Sequence, residues 1–88
     1  MNTQYLERIL KGSAHRNRLR IMLLLEREPD LNLIDIAEKL KMNFKNAGEH
    51  TRKLTIAGLI SKKYRGASVQ HTLTFRGKQV LKFCRTLE

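Results

Sequence analysis

The sequence predicts a mainly helical fold with one small β-hairpin (α+β). Three observations carry this. Up to residue 57, apolar residues recur at three- and four-residue spacing in four segments. A residue suited to helix capping stands before each segment and before a fifth: Thr3, Ser13, Asn32, Asn43 and Thr74. Between Gly58 and Thr74 the pattern changes to Val, Ile, Thr and Tyr on both sides of Arg65-Gly66-Ala67-Ser68, a turn between strands.

Thr3 is placed to cap a first helix over 4–11. Tyr5, Leu6, Ile9 and Leu10 give it a wide apolar side, and Gly12 suits the left-handed backbone that ends it. Ser13 then caps a second helix over 14–27. Leu19, Met22 and Leu23 form its main stripe, and Ile21, Leu24 and Leu25 carry apolar character most of the way round. Such a helix belongs at the centre.

Pro29-Asp30 interrupts helical geometry. Asn32 caps a third helix, with Asp35 three residues on in a loose capping-box pattern, and Leu33, Ile36, Ala37 and Leu40 on one side. Lys41-Met42-Asn43 is only long enough for a turn, and Asn43 caps a fourth helix over 44–57. Two helices joined by three residues make a helix-turn-helix. Gly58 ends the fourth helix, strands follow over 59–64 and 69–73, and Thr74 caps a last helix over about 75–86. Helix, helix, helix, helix, hairpin, helix is the order of a winged helix-turn-helix, with the hairpin (60–73) as the wing. The 88 residues form one domain without an internal boundary.

Charge points to the partner. Lys plus Arg number 18 against 8 Asp plus Glu, a net +10. Residues 1–44 carry 8 basic and 6 acidic side chains, and residues 45–88 carry 10 and 2, so the halves hold +2 and +8. No acidic side chain occurs from His50 to Leu87. A concentrated positive field favours a polyanion.

About 100° per residue around the fourth helix, Ala47, Thr51 and Leu54 point to the core. Lys45, Asn46, Glu49, Arg52 and Lys53 occupy the opposite arc, with His50 at the edge and Asn43 at the cap. Lys and Arg there neutralise phosphates. Asn46 has the donor and acceptor for an adenine edge, and Lys45 can donate to guanine. Glu49 can accept from a cytosine amine or orient Arg52 or Lys53. The wing adds Lys62, Lys63 and Arg65, the last beside Gly66 at a tip suited to a narrow minor groove. These ten positions are the predicted DNA contacts. Arg16, Arg18 and Arg20 stand outside that set.

Three stretches resemble a known group. HRNRLRIMLLL (15–25) is similar to the opening core helix of arsenic-repressor (ArsR) regulators. IAEKLKMNFKNAGEHTRKLTIAGLI (36–60) is similar to the helix-turn-helix shared by ArsR and MarR winged-helix regulators, and VQHTLTFRGKQVL (69–81) to the end of their wing and the next helix. The resemblance implies a dimeric, DNA-binding transcription regulator with the fourth helix in the major groove and the wing on the backbone or minor groove. Two positions depart from the family pattern: Gly48 replaces a Ser-like residue, and Thr51 replaces Leu. Phe44 is the expected filler of the volume lost at Thr51.

Terminal helices 3–11 and 75–87 are not needed for a winged core, and a small core gains from a partner subunit. Their stripes (Tyr5, Leu6, Ile9 and Leu10; Val80, Phe83, Cys84 and Leu87) are therefore the predicted interface of a homodimer. A two-fold dimer sets its probe helices about 34 Å apart and favours a palindromic duplex.

No catalytic arrangement is readable, so no enzyme is expected. The lone Cys84 and the unspaced His15, His50 and His71 predict no metal or cofactor. One cysteine, no secretory leader and no membrane-length apolar run predict a cytoplasmic protein. Two other classes fit the composition: a nonspecific chromatin-type DNA or RNA binder, and a winged-helix protein-interaction module. The second calls for an apolar probe face, which the charged arc is not.

Overall fold

Helix starts in this chain are set by side chains that satisfy the first free backbone N–H groups. The computed structural model describes residues 1–88. Its elements are α1 (Thr3–Ser13), α2 (Arg16–Arg27), α3 (Leu33–Leu40), α4 (Phe44–Ile56), β1 (Ile60–Arg65), β2 (Ser68–Leu73) and α5 (Phe75–Thr86). This is the predicted mainly α winged helix-turn-helix with one hairpin. Asn32 accepts from the Asp35 N–H at 2.8 Å, Asn43 from Lys45 and Asn46 at 2.8 and 3.3 Å, and Thr74 from Gly77 at 3.1 Å.

The first two caps differ from the sequence expectation. Asn2 caps α1, accepting from the Tyr5 N–H at 3.0 Å, so Thr3 is already helical. His15 caps α2 through Nδ1, which accepts from Asn17 at 3.0 Å. Ser13 is instead the buried last residue of α1 and donates its hydroxyl to the Leu10 carbonyl. Gly12 does not end α1; it lies inside the helix. A Cβ there would collide with the Ala57 Cβ, so the glycine serves close approach of α1 to the end of α4.

α2 is the central helix and packs against α1, α3, α4, α5 and β2. Ile21, Met22, Leu24 and Leu25 are buried, whereas Leu23, expected in the main stripe, is partly exposed. Ile36, Leu54, Leu59, Ile60 and Leu81 complete the core around it.

Lys41 takes the left-handed conformation at the end of α3, so the chain reverses into α4 within three residues. After α4, Gly58 at φ 75° turns the chain into the hairpin. Thr74 Oγ1 donates to the Gly58 carbonyl at 2.7 Å, and its N–H donates to the Leu59 carbonyl at 3.1 Å. Arg76 donates to the Ala57 carbonyl at 3.1 Å. The hairpin pairs antiparallel from Ile60↔Leu73 to Arg65↔Ser68. Leu31 adds one bridge to His71, a short third edge absent from the sequence reading.

Two glycines separate helix propensity from packing. A Cβ at Gly48 would meet only Leu33 at an ordinary 3.5 Å, whereas one at Gly77 would overlap the Leu59 carbonyl and the Leu73 side chain. Gly48→Ala is expected to stabilise the fold by up to about 1 kcal/mol. Gly77→Ala is expected to destabilise it by about 1–3 kcal/mol. Urea unfolding midpoints of the two variants measure both.

Candidate nucleic-acid interface

One side of α4 is held by the core and the other is free. Ala47, Thr51 and Leu54 are buried, while Lys45, Asn46, Glu49, Arg52 and Lys53 are exposed. Burying Thr51 (3% exposed) is tolerable because its hydroxyl donates to the Gly48 carbonyl at 3.0 Å. Phe44 does not fill the space left by Thr51: it is 56% exposed. It stands instead on the rim of a groove of about 600 Å³ between α4 and the wing, closed at one end by Asn32, Leu33 and Ile34 at the start of α3. Phe44, Gly48 and Thr51 line the α4 side of that groove; Lys62, Val69 and His71 line the hairpin side.

The hairpin register separates the wing cations. Lys62 lies opposite His71 on the face towards the groove, whereas Lys63 and Arg65, opposite Gln70 and Ser68, belong to the other face. The wing is therefore basic on both faces. Glu49 accepts from Arg52 at 3.3 Å on the exposed arc of α4. Such a solvated pair adds little stability.

His50 departs from the predicted arc. It turns towards α2, lies against His15 with ring centroids 4.4 Å apart and the planes tilted by 45°, and accepts through Nδ1 from Arg18 Nε at 3.3 Å. Arg18 also donates to the carbonyls of Lys11 and Gly12 at 2.9 and 3.2 Å. It thus ties the end of α1 to the probe helix. Arg20 donates to the Leu40 carbonyl at 2.8 Å, closing the end of α3. Nothing in residue order indicates these ties, since they join positions up to 32 residues apart.

The predicted dimer stripes are divided too. Ile9 and Val80 pack against the protein's own core. Tyr5 receives Arg76, which hydrogen-bonds its hydroxyl and lies 5.1 Å from its ring centroid. Leu6 and Cys84 are half-buried, and Leu10, Phe83 and Leu87 stay exposed. Phe75, not among the predicted positions, is exposed as well. No three of the His, Cys, Asp and Glu side chains gather where they could hold a metal ion. No helix is long and apolar enough to cross a membrane.

A helix-turn-helix with a free polar, basic arc, flanked by a basic hairpin, defines a winged-helix DNA-binding protein. The chain belongs to the bacterial regulatory protein arsR family, whose model matches residues 15–62. It is a sequence-specific DNA-binding transcription regulator. HlyU from Vibrio cholerae N16961, in its reduced form, superimposes with a TM-score of 0.82 at 22% identity, over 98% of this chain and 90% of that one. NolR from Sinorhizobium fredii gives 0.87 at 17% identity, over 97% and 85%. The homodimeric winged helix-turn-helix DNA-binding domain of Mb0332 from Mycobacterium bovis gives 0.80 at 22% identity, over 97% and 76%. No curated protein matches the sequence.

Burial holds His71 below its ordinary pKa, opposed by its hydrogen bond to the Leu31 carbonyl. Burial lowers His50 likewise, assisted by the charges of His15, Arg18 and Lys53. A base with a depressed folded pKa binds fewer protons folded than unfolded, so stability rises with pH. The stabilisation is full above the unfolded value of about 6.5 and is lost as pH falls below it. Urea midpoints are expected to drop between pH 7.5 and 5.5, and His71→Gln is expected to flatten that drop.

Proposed function

We propose that the exposed arc of α4 reads bases in the major groove while the wing holds the adjacent backbone and minor groove. The observation that carries this is the shared groove: the start of α3, α4 and the hairpin line it together, Lys62 stands on its hairpin wall, and the exposed cations of the α4 arc stand beside it. Lys45 and Asn46 lie in the first turn of α4, where helix-turn-helix proteins read base edges. Asn43, Glu49, Arg52 and Lys53 complete the arc, and Lys62, Lys63 and Arg65 neutralise phosphates from the wing. His50 acts from behind, supporting the helix against α2.

The functional unit is a homodimer paired through α1 and α5. Support comes from the apolar side chains still exposed there, Leu10, Phe75, Phe83 and Leu87, and from the homodimeric state of the M. bovis relative. Two-fold pairing sets the α4 helices about one helical turn of DNA apart and matches a palindromic operator. A DNA partner and one free thiol fit a cytoplasmic location.

Selection of bound duplexes from a random pool tests this reading. The expected product is two inverted half-sites whose centres lie about 10 base pairs apart or at a multiple of that. Asn46→Ala is expected to lower discrimination at one base of each half-site by about 1–3 kcal/mol. An unenriched pool would contradict the reading and leave nonspecific binding.

A further inference from the structure

α4 has a fourth side besides its core, outward and wing sides. Stepping about 100° per residue puts Phe44, Gly48 and Thr51 on the wing flank, and Lys53 and Ala57 on the opposite one. On that opposite flank lies a cleft of about 190 Å³ between α1, the start of α2 and the end of α4. Four cations line it: Arg8, Lys11, Arg18 and Lys53.

We propose that this cleft is a second phosphate-binding flank, so that a duplex lying across α4 is gripped by the wing on one side and by the α1–α2 corner on the other. The inference rests on the DNA-binding reading above and adds to it a role for α1 that its apolar stripe does not suggest. Arg8, Lys11 and Gly12 follow i, i+3, i+4 spacing and share one side of α1, away from Leu6 and Leu10. Gly12 lets that side settle directly on Ala57, which brings the α1 cations beside Lys53. α1 can therefore present its charges to DNA and its exposed Leu10 to a partner subunit at once.

The charges lack internal compensation. Lys11 has one weak partner, Glu7 at 3.7 Å, and Arg8 and Lys53 make no ion pair. Glu49, the nearest carboxylate on α4, is taken by Arg52. Arg18 is held in place by the Lys11 and Gly12 carbonyls and by His50, through Nη1 and Nε, which leaves Nη2 without a partner in the protein. Four neighbouring cations repel one another, and a backbone phosphate relieves the repulsion while releasing counterions.

The test is a salt titration of binding to a random-sequence duplex of about three helical turns, with the wild type, Arg8→Ala/Lys11→Ala, and Lys78→Ala/Lys82→Ala. The last pair removes the same charge from α5. Losing two phosphate contacts from each protomer makes the log–log salt slope of the homodimer less negative by about 3.6. The α1 variant is expected to show a change of that order and several-fold weaker binding with an unaltered melting temperature. The α5 variant, whose lysines flank Phe75 and Phe83, is compared at a protein concentration where sedimentation shows the same oligomer as the wild type, and is expected there to keep the wild-type slope. An α1 variant with the wild-type slope, or one no different from the α5 variant, would overturn the second flank while leaving the probe-and-wing reading standing. A wild type that binds no duplex at low salt would overturn both.

Discussion

The turn from α4 into β1 is the constraint on which the surface depends. Ala57 and Leu59 are buried, Gly58 supplies the left-handed backbone between them, and every carbonyl of the three receives a donor from the Thr74–Gly77 region or lies against it. Arg76 holds Ala57, Thr74 holds Gly58 and Leu59, and Gly77 leaves room for the Leu59 carbonyl. The start of α5 is thus the bracket that sets the angle between probe helix and wing. Because α1 crosses at the same point through Gly12, one small knot orients three elements that carry positive charge.

The cations divide by what holds them. Arg18, Arg20, Arg76 and Arg85 end on carbonyls, a histidine, a tyrosine or a carboxylate, joining helices that lie far apart in the chain. Arg85 meets Glu26 and holds its carboxyl below the usual range, which fastens the end of α5 to α2. Lys45, Lys53, Lys62, Lys63 and Arg65 have no such partner. Each of these long-range clamps is an arginine because its fork can satisfy several acceptors at once, while lysines supply most of the free field on α4 and the wing.

The order of elements was legible because each rests on local signals. Asn32, Asn43 and Thr74 cap where their side chains predict, and the Arg65–Ser68 turn joins strands of the expected residues. What was not legible depends on tertiary contact. Gly12 has the chemistry of a helix end, yet close packing on Ala57 keeps it helical. His50 sits on the margin of the polar arc by periodicity, and only the fold brings His15 and Arg18 to it. Ile9 and Val80 share stripes with exposed residues, but one edge of each stripe faces the protein's own core.

The central claim is that the outward arc of α4 and the basic hairpin meet the duplex as one surface. Backbone amide chemical shifts of the full chain, followed while a selected duplex is added, test it most directly. The largest changes are expected to fall together on Lys45, Asn46, Glu49 and Arg52 and on the 62–66 hairpin tip. Changes confined to α5, with α4 and the hairpin undisturbed, would contradict it.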